Sequence, residues 1–314
     1  MYDESDFITG LVRFSVPCFL MISGKYLLGN QENSNASKFY KMAYMKLIPP
    51  LLVYSLFGLA FSLARAEIGG GSIVNPFVNL MIGRPYYHLW YLFTIAGIYL
   101  LIPGIVSIKY SLNRKTYLIL GMIGFIASCV SASFCQFKLA WGVHTVACFS
   151  SYFILGDILG NLSISTNKKR CAALVCLSVL CLILTGCWET YQNYSQKGSI
   201  MNYINASNNF SPTVALGSAA LFSSVKYWKV KFDVHRVTKY SMHIYGLHVF
   251  VLEVIMKAYE QLASVEVNSV LWVACGTAIV FCASYILSKP MKFCFDKVCK
   301  TIKIRSKCSE KAGI

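Results

Sequence analysis

What this sequence has least of is charge. Only 13% of its 314 residues are Asp, Glu, Lys or Arg, about half the share of a soluble globular chain. With 56% apolar residues and a mean hydropathy of +0.55, there is more apolar surface than a core can hide, so lipid has to cover the rest. Acidic residues are scarcest, 13 against 29 Lys and Arg. In a soluble chain that balance would point to nucleic acid; here the placement of the charges, taken up below, excludes such a partner. The chain also lacks any C-x-x-C pair and any regular His/Cys spacing among its 13 cysteines. That excludes a disulfide framework and a metal site, and leaves the cysteines as small buried hydrophobes. No cofactor is expected to be bound. A cleavable signal peptide is not expected either, because the first residues are acidic and no small-residue cleavage site follows them.

What is there is a series of apolar runs of bilayer-spanning length. They fall at residues 7–28, 46–66, 88–108, 117–135, 143–162, 171–188, 212–228, 240–259 and 268–288, with the Gly- and Ser-rich seventh the least apolar in pattern. The expected fold is all-α, a polytopic integral membrane helical bundle of about nine transmembrane helices. Two organisational units follow: a transmembrane domain over residues 1–288 and a basic amphipathic tail over 289–314.

The basic residues orient the bundle. One set of alternate connections carries Lys38, Lys41 and Lys46; then Lys109, Arg114 and Lys115; then Lys168, Lys169 and Arg170; then five more between Lys226 and Lys239; and the tail adds eight. The opposite connections carry only Arg65, Arg84, Lys138 and Lys197. By the positive-inside rule the N-terminus faces outside and the tail faces the cytoplasm. The excess charge is thus a topology signal. In the tail, Met291, Cys294, Phe295, Val298 and Ile302 share one stripe, which reads as an interfacial helix on membrane lipids of the inner leaflet. Two outer connections are long, 67–87 and 189–211.

Chemistry-bearing residues are few. The run Leu11–Gly29 holds Arg13, Pro17 and the pair Ser23-Gly24. Arg13 reads either as an interface arginine whose head reaches the headgroups or as a fixed cation holding a carboxylate, a phosphate or an acyl oxygen. Pro17 and Ser23-Gly24 read as a kink and a close helix contact. The first basic connection leads through Lys41 and Lys46 into Pro49-Pro50, where cations at a helix entrance suit either topology or the phosphates of a nucleotide donor. His88-Leu89-Trp90-Tyr91-Leu92 opens the third span; its rings suit an aromatic belt or a polar pocket that orients an acceptor hydroxyl. Ser241 to His248, SMHIYGLH, places His248 about 12 Å into its helix, where a histidine either lines a cavity or bonds between helices. His243 lies about 140° around the helix from His248, so the two do not share a metal. Glu253 continues this polar set and Asp157 closes the fifth span.

Together the runs RFSVPCFLMISGKYLL, HLWYL followed by IYLLIP, and SMHIYGLH resemble, in order, helices of the membrane-bound acyltransferase-3 family. The resemblance implies an O-acyltransferase that moves an acyl group, usually acetyl from acetyl-CoA, onto a hydroxyl of a sugar, polysaccharide or lipid-linked glycan, as in a bacterial inner membrane. It implies catalytic roles for Arg13, His88 and His248, and substrate binding by Lys41, Lys46, Trp90, Tyr91 and Tyr245. Lys41 and Lys46 stand where the family often has arginines, which loses bidentate phosphate geometry. The family pattern has ten helices, the first carrying an arginine–histidine pairing that no position here matches, so the chain is expected to be an incomplete acyltransferase with impaired activity. Two other readings remain: a transporter or flippase of lipid-linked glycans, and a non-catalytic membrane subunit.

Overall fold

Apolar runs in a solvent that offers the backbone no hydrogen bonds have to satisfy their N–H and C=O groups internally, and in single segments only a helix does so. The structure, a computed structural model, describes residues 2–68, 74–81, 83–86, 88–134, 141–162, 167–194, 208–225, 235–262 and 269–312. Among them the regular elements are helical: α1 Tyr2–Val12, α2 Ser15–Leu27, α3 Ala36–Ile68, α4 Val74–Met81, α5 Trp90–Ser111, α6 Arg114–Phe134, α7 Trp141–Asn161, α8 Lys168–Tyr194, α9 Pro212–Val225, α10 His235–Thr238, α11 Ser241–Leu262 and α12 Ser269–Ala312.

The described part of each apolar run is mainly helical, with residues 135, 226–228 and 268 of those runs outside the described residues. Among the described residues seven stretches are long and apolar enough to cross a membrane: Phe7–Leu27, Ala36–Ala66, Trp90–Ser111, Arg114–Ala132, Val143–Asn161, Lys168–Gln192 and Val273–Lys297. The other two runs are the 14-residue α9 and the 22-residue α11. Exposed Ile119, Ile123, Ile126 and Val130 on α6 share one face, as a lipid-facing stripe requires.

Several ends differ from the sequence expectation. The first run is broken at Arg13-Phe14, four residues before Pro17. The proline has no N–H for the Arg13 carbonyl and its ring collides with that carbonyl, so the ladder restarts with Cys18 N–H on Phe14 O at 3.0 Å. Lys109 lies in α5, not in a connection, and α8 runs past Trp188 to Tyr194, which brings Glu189 into the helix. Residues 74–81 of the long 67–87 connection form α4. At the other end of the chain, α12 runs through Pro290 without a break at Lys289. Phe295, from the stripe read as membrane-facing, is instead buried against Tyr54 and His243 at ring-centroid distances of 6.3 and 5.1 Å.

The chain divides into two compact units, Met1–Phe39 with Gly97–Val230, and Tyr40–Ala96 with Lys231–Ile314. In the first, α2 packs on α7, α8 on α9 and α1 on α8. The α2–α7 crossing is set by two glycines: a Cβ on Gly24 would lie 2.1 Å from Phe153 O, and one on Gly156 would lie 2.1 Å from Met21 O. Small residues of this kind let membrane helices approach backbone to backbone. The carbonyls at the end of α2 are met by side chains: Asn33 Nδ2 donates to Leu27 O, Lys109 Nζ to Leu28 O and Tyr110 Oη to Gly29 O. Lys109 also pairs with the buried Asp157 carboxylate at 2.8 Å, which accepts from Tyr117 and Asn161 as well.

In the second unit α11 packs on α12. Its core is Tyr54, Tyr86, Leu89, Leu92, Val249 and Phe250, with Phe61, Tyr245 and Met291 packed around it. Tyr54 lies directly over Gly246, where a Cβ would come within 2.5 Å of the ring, and its hydroxyl meets His243 Nδ1 at 2.9 Å.

Candidate active site

The candidate site lies in the second unit, where the segment joining α4 to α5 meets α11. α4 ends in a turn at Gly83, whose φ of +77° is one that glycine adopts at little cost. From there the chain passes through Arg84, Pro85 and Tyr86 to His88, with Tyr87 outside the described residues. Side chains of α3 and α11 bond to this segment. Ser62 of α3 donates to Pro85 O at 3.1 Å. Tyr86 donates its phenol to Glu253 of α11, and Tyr245 of α11 donates its phenol to His88 O. Arg65, mostly exposed at the end of α3, lies 3.6 Å from the same Glu253 oxygen.

His88 is buried. Its ring meets Tyr86 at 5.9 Å, Tyr245 at 5.8 Å, His248 at 5.3 Å and Phe250 at 5.4 Å between centroids. This burial first, and the neighbouring His248 second, push the His88 pKa down to about 3, so the ring is neutral at ordinary pH. Burial, then the hydrogen bond to Glu253, pushes the Tyr86 phenol up, which keeps it a proton donor. His248 Nδ1 lies 2.6 Å from Tyr245 O. A backbone carbonyl only accepts, so in the neutral ring Nδ1 holds the proton and Nε2 carries the lone pair. Such a nitrogen can take a proton from a hydroxyl. Tyr91 extends the wall, 5.3 Å from Tyr245 and 6.1 Å from Trp90.

Of the residues singled out from the sequence, the structure brings His88, His248, Tyr91 and Tyr245 together, with Trp90 beside them. Lys41 and Lys46 belong to the same unit and are exposed on α3. Arg13 belongs to the first unit, where its Nη2 pairs with the buried Glu189 at 2.7 Å. Of the two sequence readings of Arg13, a fixed cation holding a carboxylate matches this geometry.

Sequence reasoning missed Glu189, Arg65, Tyr86 and Ser62, and recorded Glu253 only as a polar neighbour. The scarcity of acidic residues was the available signal: a carboxylate in or beside an apolar run needs a cation or a donor there, and Asp157, Glu189 and Glu253 each have one. Among the described residues no group of His, Cys, Asp and Glu is placed to hold a metal.

No curated protein matches the chain, and no solved structure matches it. A family model described as an acyltransferase domain matches residues 1–289, which takes in every helix of the candidate site and nearly the whole of both units. The chain therefore belongs to the acyltransferase-3 family.

Proposed function

We propose that the protein is a membrane O-acyltransferase that moves an acyl group, acetyl in its simplest form, from acyl-CoA to a hydroxyl of a cell-surface sugar, polysaccharide or lipid-linked glycan. The observation that carries this reading is the Nδ1 bond of His248 to Tyr245 O, which leaves Nε2 as a base beside the buried, neutral His88. In the reaction His248 Nε2 takes the proton from the acceptor hydroxyl as its oxygen attacks the thioester carbon. The tetrahedral intermediate collapses, the thioester C–S bond breaks, and the proton goes to the departing sulfur. Trp90 and Tyr91 offer aromatic faces to a sugar ring. Lys41 and Lys46, which α3 carries within its first three turns and not ahead of the helix, act as point charges for the donor phosphates, and Arg13, balanced by Glu189, is a fixed dipole in the first unit.

The basic bias of alternate connections supports an outside N-terminus and a cytoplasmic tail, with residues 1–288 as the acyltransferase domain and 289–314 as its basic anchor in a bacterial inner membrane.

The test is transfer of radiolabelled acetyl from acetyl-CoA to a lipid-linked glycan by the purified protein in nanodiscs. Transfer, even at a low rate, supports the reading, and His248→Ala is expected to lower turnover on the order of 10²–10⁴-fold without loss of membrane insertion. Label that stays on the donor while the glycan lipid crosses the bilayer would replace this reading with the flippase. Wild-type turnover by His248→Ala would remove His248 from catalysis.

A further inference from the structure

The segment that carries His88 has no helix of its own, yet it holds a buried ring against His248. Its attachments come from outside it and fall on Pro85, Tyr86 and His88. Ser62 Oγ donates to Pro85 O at 3.1 Å, Tyr86 Oη donates to Glu253, and His88 O accepts from Tyr245 Oη. These anchors come from α3 and α11, and every residue involved belongs to the second unit. The α4 end is fixed too, by Gly83 N–H on Leu80 O and Arg84 N–H on Asn79 O at 3.0 and 2.7 Å.

The Tyr86 attachment differs from the other two because it is made by a carboxylate. Glu253 is about four-fifths buried, with the Arg65 guanidinium 3.6 Å away. A phenol donating to a carboxylate is stronger than a hydroxyl donating to a neutral carbonyl. The Tyr86 ring is also wedged between Phe61, Phe250 and the edge of His88, so fixing its hydroxyl fixes the face on which His88 rests.

We infer that Glu253, through Tyr86, is a positioning residue for the histidine pair, with Ser62 and Tyr245 as the two lesser anchors of the same segment. The inference rests on the acyltransferase reading for its effect on rate, but its structural half stands apart. Without the Glu253–Tyr86 bond the segment frays and His88 loses its fixed distance from His248. With it the pair is held before substrate arrives, which is where small displacements cost rate most.

The experiment uses the full chain in nanodiscs and two readouts, hydrogen exchange over residues 83–90 and acetyl transfer. Tyr86→Phe and Glu253→Leu are each expected to speed exchange of that segment and to lower kcat, both on the order of tenfold, with the donor KM unchanged. The double variant is expected to be no worse than Glu253→Leu alone, because Tyr86→Phe removes only a bond that Glu253→Leu has already broken. Glu253→Gln, whose amide oxygen still accepts from the phenol, is expected to recover most of the rate. Exchange that stays at the wild-type level in Tyr86→Phe overturns the inference, as do additive losses in the double variant or a Glu253→Gln as slow as Glu253→Leu. Faster exchange in variants of a wild-type protein that transfers no acyl group would support the anchoring and overturn the acyltransferase reading instead.

Discussion

The two units treat their polar groups in opposite ways. In the first, charge is matched with charge: Arg13 with Glu189, and Lys109 with Asp157, which also accepts from Tyr117 and Asn161. In the second, the polar side chains around the candidate site are rings, with His88, His243, Tyr54 and Tyr86 buried and His248 and Tyr245 half-buried, joined to one another, to backbone and to Glu253. A matched ion pair at low dielectric is a fixture, because removing either partner strands the other. A neutral histidine with one nitrogen held by a carbonyl can still accept a proton on the other. The difference separates the part of the chain that reads as frame from the part that reads as chemistry.

The comparison breaks most directly at Glu189. Glu189→Leu leaves the Arg13 charge without its carboxylate, and removal of one member of a buried pair costs about 3–5 kcal/mol. The expected result is a large drop in the melting temperature of the detergent-solubilised protein, largely restored by adding Arg13→Leu. A single variant as stable as the wild type would make the pair ornamental. A smaller effect, about 1–3 kcal/mol, is expected for Gly156→Ala, because its Cβ would lie 2.1 Å from Met21 O and 2.4 Å from Met21 Cα. Backbone cannot swing aside as a side chain can. The measurement is again the melting temperature, with an unchanged value showing that α2 and α7 tolerate a wider crossing.

The second unit sharpens the contrast in the other direction, since changes there should move rate before stability. The mildest of them is the pair Lys41→Gln and Lys46→Gln. Both side chains are exposed on α3, so folding should hold while the donor Michaelis constant rises severalfold and climbs less steeply with added salt than in the wild type. An unchanged constant would leave these lysines as topology signals alone.

The position of the helices was legible because composition and length suffice for it: a run of about twenty apolar residues has one stable form in lipid. The break near Pro17 and the close contact at Gly24 followed from residue type in the same way. Boundaries were harder. The apolar runs end at 108 and 188, which puts Lys109 and Glu189 in connections, but α5 and α8 continue through them, and Asp157 and Arg13 supply the opposite charges. The histidine and tyrosine cluster is readable in the sequence only as two separate motifs, HLWYL and SMHIYGLH.

By itself, then, the sequence determined that the chain is helical and that lipid covers it, and it marked Arg13, Lys41, Lys46, His88, Trp90, Tyr91, Tyr245 and His248 as candidates. Those properties depend on local pattern and on transfer from water to lipid, which act residue by residue. Partnership was decided by the tertiary structure alone. Arg13 and Glu189 are 176 positions apart, and Tyr86 and Glu253 are 167 apart. No local rule relates such positions; they meet because helix packing brings them within hydrogen-bond distance. The proton on His248 Nδ1 was decided there as well, since a neutral imidazole has two tautomers in any sequence and only a neighbouring carbonyl at 2.6 Å selects between them.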